Sequence, residues 1–291
     1  MKRLKFLIGI VVVVSLSGCR LQECSDCGCD DCMGVYSGNL EVFRDWSALR
    51  QDMERPEEVD VYLYHASLAP RHEVTYNDIE RYDVAPGRYE VLAVNRQDSV
   101  CFRGMDNYYT AEVCLPTRMR DSCVIVEEAP LLLFDRTAVS VEDGSGRCTV
   151  VPASFVKTIN FVIRVYRREN LGGIRACRGR LGGVLTSAKI CVRQQEHFSA
   201  CLDFATRAED TDLFCKSVTL LGMNPDAPHR LRLWLTDDNG IVREAEVDAG
   251  KLDFSATDVL NCYVDVNLTG TGTEVGIVDW EPGWTGDIVL K

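Results

Sequence analysis

Apolar residues recur at every second position in one short run after another along this chain. Val59, Val61 and Leu63 alternate with polar neighbours in EVDVYLYH (58–65), and Ile159, Phe161, Ile163 and Val165 do the same in TINFVIRVYR (158–167). A period of two places one row of side chains on one face of an extended strand. GRYEVLAVN (87–95) follows a Pro86-Gly87 turn, and CVIVEE and PLLLF (123–134) come next. GRLGGVLTSAKICVR (179–193) reads as a glycine-broken strand. LRLWLTDDNGIVREAEV (231–247) reads as a hairpin, with Asp237-Asp238-Asn239-Gly240 supplying left-handed turn residues. NCYVDVNLTG (261–270) and EVGIVDW (274–280) close the chain. Short strands with turn signals about every ten residues predict an all-β sandwich architecture. A parallel α/β fold would need regular helices between the strands, and the sequence carries no such run. Two peripheral helical pieces are expected, at 45–55 and 255–261, the second with Ser255 as N-cap and Asp258 three residues on. The strand pattern pauses near 135–155, which divides the chain into domains at 34–150 and 151–291.

The first residues belong to none of this. MKRLKFLIGIVVVVSLSGC opens with Lys2, Arg3 and Lys5, and then runs apolar from Leu7 to Val14. That run is too short for a bilayer core of about 30 Å, which takes about 20 helical residues. Residues 1–18 therefore read as a secretory signal peptide. Leu16-Ser17-Gly18-Cys19 resembles a bacterial lipobox. The resemblance implies cleavage before Cys19 and acylation of its thiol. Several acyl chains on one residue give a stable membrane anchor where a single chain would not.

CSDCGCDDC (24–32) then places Cys24, Cys27, Cys29 and Cys32 within nine positions. The spacing suits a zinc or iron–sulfur chelator. An exported chain, however, meets an oxidising compartment where close cysteines pair, and Ser25, Asp26, Gly28, Asp30 and Asp31 suit a flexible tether over 19–33. The acids also resemble the sorting signal of surface lipoproteins in Bacteroidetes. Disulfides or free thiols, a metal site and a sorting signal are the three readings of this cluster.

Removal of the leader leaves 273 residues, with 29 basic against 44 acidic side chains and a formal charge of about −15. That length suits two domains, and 46% hydrophobic residues supply packed cores. The acidic surface disfavours nucleic acid and anionic headgroups as partners. Beyond Cys19, thirteen cysteines remain: four in the tether, four at 101–148 and five at 177–262. The odd total leaves at least one thiol unpaired within the chain. The even set Cys101, Cys114, Cys123 and Cys148 allows two bridges, and connectivity is not legible from spacing.

The lipobox is followed by VFRDWS (42–47), EVDVYLYH (58–65) and DVAPGRYEVLAVN (83–95). Together they resemble an uncharacterised family of Bacteroides lipoproteins related to the fimbrillin-like proteins, among them the lipoprotein anchor subunits of type V pili. The resemblance implies two transthyretin-like Greek-key β-sandwiches in tandem. It also implies an outer-membrane, surface-exposed location and other fimbrillin-like subunits as partners. The cysteine richness departs from the family pattern.

No catalytic constellation emerges. His65, His72, His197 and His229 do not form H-E-x-x-H, and there is no G-x-S-x-G or phosphate-loop glycine pattern. The acids of EDTD (209–212) and TDDNG (236–240) read as loop and hairpin tip, without the full calcium-loop series. Tyr108, Tyr109, Trp280 and Trp284 are candidate glycan contacts, because an exposed ring can stack on a sugar face. Asp98-Ser99-Val100 resembles an O-glycosylation acceptor tripeptide. The expectation is a non-enzymatic surface lipoprotein, with the covalent lipid on Cys19 and no other cofactor. It would act as a pilus anchor or accessory subunit through strand contact. The rivals are a glycan-binding lipoprotein and a metal or thiol protein using the 24–32 cysteines.

Overall fold

The computed structural model describes residues 38–282, apart from 51–52, 143, 168–171, 192–197, 211, 251, 253, 255–256 and 269–272. Among the described residues the chain is all β, without a helix.

Strand β1 (Gly38–Arg44) lies between β4 (Ile79–Val84), which runs antiparallel to it, and β11 (Ser145–Val150), which runs parallel. The facing sheet has the order β12 (Ala153–Ser154), β10 (Leu133–Val141), β5 (Gly87–Asn95), β2 (Val59–His65), β3 (Arg71–Thr75). The same plan then recurs. Strand β13 (Lys157–Arg167) lies between antiparallel β18 (Leu213–Leu220) and parallel β21 (Val259–Leu268). Its facing sheet runs β20 (Val242–Asp248), β19 (Arg230–Asp237), β14 (Ile174–Leu185), β16 (Ser199–Ala205). One strand plan used twice gives the expected tandem β-sandwiches.

Additions distinguish the second copy. Strand β22 (Thr273–Pro282) covers the outer side of β21, and β17 (Arg207–Asp210) covers β18. The hairpin of β8 (Thr117–Arg120) and β9 (Cys123–Val126) joins the second sandwich through β16, although it precedes residue 150. A small sheet of β6 (Cys101–Arg103), β7 (Glu112–Cys114) and β15 (Ser187–Lys189) likewise spans both parts of the sequence.

The alternation read in the sequence is the core. Val59, Val61 and Leu63 join Leu40, Val42 and Val91 in the first core, and Ile159, Phe161, Ile163 and Val165 lie in the second. Tyr64 and Leu92 point the other way from the β2–β5 sheet into the second core. Both faces of that sheet are therefore covered, which is why β5 is buried at nearly every position after its start. On the opposite face of β13, buried Asn160 is satisfied by its neighbours in register. Its amide donates to Asn261 at 2.9 Å, and its carbonyl accepts from Ser217 at 2.7 Å.

Among the described residues of 45–55 and 255–261 there is no helix. At 45–50 the chain makes turns, because the Asp45 carboxylate accepts from Ser47 N at 2.9 Å and the Trp46 indole donates to Asp78 at 2.9 Å. Such local side-chain bonds compete with a helix. At the second site Val259 already begins β21, whose parallel pairing with β13 overrides the local helix signal. Nor do strands pause at 135–155. Strands β10 and β11 occupy it, but β10 has a mostly polar, half-exposed alternation that offers little hydrophobic contrast. The hairpin at 231–247 forms as read, with Gly240 at φ 81° closing the β19–β20 turn.

Candidate functional site

The most structured surface feature lies on the outer face of the β20-β19-β14-β16-β9-β8 sheet. Leu231, Leu233 and Leu235 of β19 point into the core, so Arg230, Arg232 and Trp234 point outward. Register aligns their partners. Arg232 lies between Glu246 and Arg180, Trp234 lies between Glu244 and Arg178, and Arg180 lies opposite Asp203.

Arg180 is the centre of this array, and only 7% exposed. It donates twice to Asp203, with Nη2 to Oδ2 at 2.9 Å, and its guanidinium lies 5.4 Å from the centre of the Trp234 ring. The Asp203 hydrogen bond raises the guanidinium pKa above its usual value. Arg120 Nη1, from β8, donates to the same carboxylate at 3.3 Å. Arg232 donates to Glu246 at 2.6 Å, and Arg230 donates to it at 3.0 Å. The Arg232 hydrogen bond holds the Glu246 carboxyl below the usual range. Trp234 Nε1 donates to Glu244 at 3.3 Å. The result is a groove of about 360 Å³ along Trp234, Arg180 and Asp203. A second hollow of about 340 Å³ adjoins it across Arg180 and carries Cys123 and Cys201. A partly exposed indole beside fixed donors and acceptors can stack on the apolar face of a polar ring and hydrogen-bond its rim.

The candidates read from sequence fall elsewhere. Tyr108 is half-buried, edge-on to Tyr64 at 5.5 Å, while Tyr109 is 68% exposed and edge-on to Tyr108 at 5.3 Å. The loop between β6 and β7 thus offers one ring to solvent and anchors itself with the other. Trp280 sits on β22 with its Cα opposite Cys262. Cys19, Cys24, Cys27, Cys29, Cys32 and Trp284 lie outside the described residues. Among the described residues no three His, Cys, Asp or Glu side chains gather as metal ligands. His72 stacks on Tyr62 at 4.3 Å and contacts Asp60 at 2.7 Å, and buried His229 contacts the carbonyls of Gly250 and Asn224. The signal for the Trp234 array was the alternation R-L-R-L-W in β19 with E-A-E across the hairpin. Its partners Arg180, Asp203 and Arg120 come from strands whose register no local pattern reveals.

The fold is shared with known structures. A candidate adhesin from Bacteroides ovatus matches at 16% identity and TM-score 0.62, over 88% of this chain and 98% of that one. A candidate polysaccharide-binding protein (DUF1812) from Bacteroides thetaiotaomicron matches at 11% identity and TM-score 0.54, over 85% and 99%. The fimbrial anchor protein Mfa2 from Porphyromonas gingivalis matches at 11% identity and TM-score 0.52, over 83% and 97%. No curated protein matches the sequence. Residues 27–204, more than half of the chain, match the model of a domain of unknown function, DUF5119, and the chain belongs to that family.

Proposed function

We propose that this chain is a lipid-anchored surface protein of the fimbrillin-like kind, without enzymatic activity, that engages another subunit by strand pairing. Acyl chains on Cys19 hold it in the outer membrane, residues 19–33 space it from the lipid, and the two sandwiches make the contact. Likeness in fold to a fimbrial anchor and to candidate adhesins supports this reading. One observation carries it. In the repeated strand plan β22 covers the edge of β21, whereas the equivalent strand β11, among the described residues, pairs with β1 and has on its other side only the Glu142–Ser145 bridge at its start. An open edge offers main-chain donors and acceptors to an incoming strand, and side-chain pockets at alternate positions then select it. The test is a photoreactive residue in place of exposed Thr149 on β11, with exposed Val242 on β20 as the control site. Illumination of intact cells should trap a neighbouring subunit from Thr149 and not from Val242. Trapping from Val242 alone would sink the edge assignment. The anchor is tested separately: Cys19→Ala should move the protein into the soluble fraction.

The Trp234–Arg180–Asp203 groove favours a second reading, capture of a polysaccharide, and a neighbour in fold is a candidate polysaccharide-binding protein. Tyr108, Tyr109, Trp280 and Trp284 remain alternative stacking residues. Retention of the protein on immobilised envelope polysaccharide, lost in Trp234→Ala and kept in Tyr109→Ala, would support the groove. Equal retention of both variants would exclude it.

A further inference from the structure

Nine cysteines lie among the described residues, as thiols in this structure. Five of them, Cys148, Cys177, Cys191, Cys215 and Cys262, are buried one at a time. The four of these that lie on strands have Val42, Leu235, Val162 and Phe161 as partners in register, not cysteines. Burial pushes Cys148 up to about 11, and Cys177 and Cys191 up to about 12, which keeps them as inert small core residues. The other four are arranged differently. Cys101 and Cys114 stand directly opposite each other in the antiparallel β6–β7 pair. Opposed residues in such a pair have Cα atoms about 4.5–5.5 Å apart, inside the range a disulfide spans. Cys123 lies on β9 two residues before Ile125, the register partner of Cys201 on β16, and both cysteines line the same hollow beside Arg180.

We propose that Cys101–Cys114 and Cys123–Cys201 are two disulfides of the exported protein, formed with a dithiol–disulfide oxidant. The proposal rests on the reading of 1–18 as an export signal. A thiolate of each pair attacks the oxidant's disulfide, which releases one oxidant sulfur as a thiol and leaves a mixed disulfide. The second cysteine of the pair, as its thiolate, then attacks the first cysteine's sulfur and expels the other oxidant thiol. Two electrons and two protons pass to the oxidant for each bond formed. In the second pair both thiols are partly exposed, so either can make the first attack and the other resolves the intermediate. Burial pushes the Cys201 thiol above its usual value, and the Arg180 guanidinium beside it opposes that rise only in part.

The second bridge has a specific mechanical consequence. The β8–β9 hairpin meets β16 through only two register pairs, Cys201 with Ile125 and Leu202 with Val126. It carries Arg120 and Asp121, which form one wall of the Arg180 groove. A Cys123–Cys201 bond would staple that wall to β16.

The test is peptide mapping of the full chain, isolated from cells and, separately, after reduction and reoxidation with oxidised glutathione. Tryptic peptides 97–103, 104–118, 121–136 and 194–207 each carry one of the four cysteines, so each bridge gives a unique linked pair. The expected result is 97–103 joined to 104–118 and 121–136 joined to 194–207 in both samples. Reduction should lower Tm by on the order of 5–10 °C, and Cys123→Ser should remove a large part of that shift. Other pairings, or unlinked peptides after glutathione oxidation, would overturn the proposal. Correct pairs after glutathione oxidation but unlinked peptides from cells would overturn the export reading instead, leaving the pairing geometry standing.

Discussion

Arg180 and Asp203 face each other across β14 and β16 and form a two-point ion pair. Arg180 is nearly buried, so Asp203→Ala leaves a cation without its acceptor beneath Trp234. The expected loss is about 2–4 kcal/mol, read as a lower urea midpoint with an unchanged slope. Asp203→Asn keeps one acceptor and should lose less. A change under about 0.5 kcal/mol in Asp203→Ala would show the pair to be solvated.

Gly179 sits next to that pair for a steric reason. A methyl group there would lie 2.1 Å from the Phe204 ring, which itself stacks on buried Phe161 at 4.7 Å. Gly179→Ala should destabilise by about 1–3 kcal/mol. In a Phe204→Leu background the penalty should shrink, because the ring it strikes is gone. A double-mutant cycle measures that coupling; strict additivity would mean the contact is not the cause.

Stability should fall on acidification below about pH 4.5, the ordinary glutamate value. Hydrogen bonds lower the folded carboxyls: Arg81 and Arg147 hold Glu41, Trp46 and Arg55 hold Asp78, and Arg232 holds Glu246. A folded value below the unfolded one means the stabilisation is present above the unfolded value. It is lost as pH falls through the folded one. Unfolding at a series of pH values from 7 to 3 checks the sign. Glu41→Gln should flatten part of the slope, and an unchanged slope would remove Glu41 from this account.

Asp121 and Ser122 both take positive φ, 50° and 62°, in the two-residue turn between β8 and β9. This is the backbone of a type I′ hairpin, which suits the twist of the strands but strains non-glycine residues. Ser122→Gly should stabilise by about 0.5–1 kcal/mol, and Ser122→Val should destabilise. Thermal melts of the two variants should move in opposite directions. A lower Tm for Ser122→Gly would mean that the serine side chain contributes more than its backbone costs.

Much of the fold was legible because strand burial has a short period. Val59, Val61 and Leu63, and Ile159 through Val165, face the cores as their alternation requires. The Asp-Asp-Asn-Gly turn was equally local: Asn239 N and Ile241 N donate to the Asp237 carboxylate, and Gly240 takes the left-handed position. Strand β10 was not legible, since its polar alternation lacks contrast, and the helix signals near 45 and 255 lost to side-chain bonds and to pairing with β13.

The sequence by itself determined an all-β chain and the turns between many of its strands. These follow from period-two patterns and residues that tolerate positive φ, and both act over a few positions. The tertiary structure alone decided which side chains meet. Arg120 reaches Asp203 and Cys101 stands opposite Cys114 because of strand order and register. Register is settled by packing over the whole sheet, and a slip of one residue would turn every outward side chain inward.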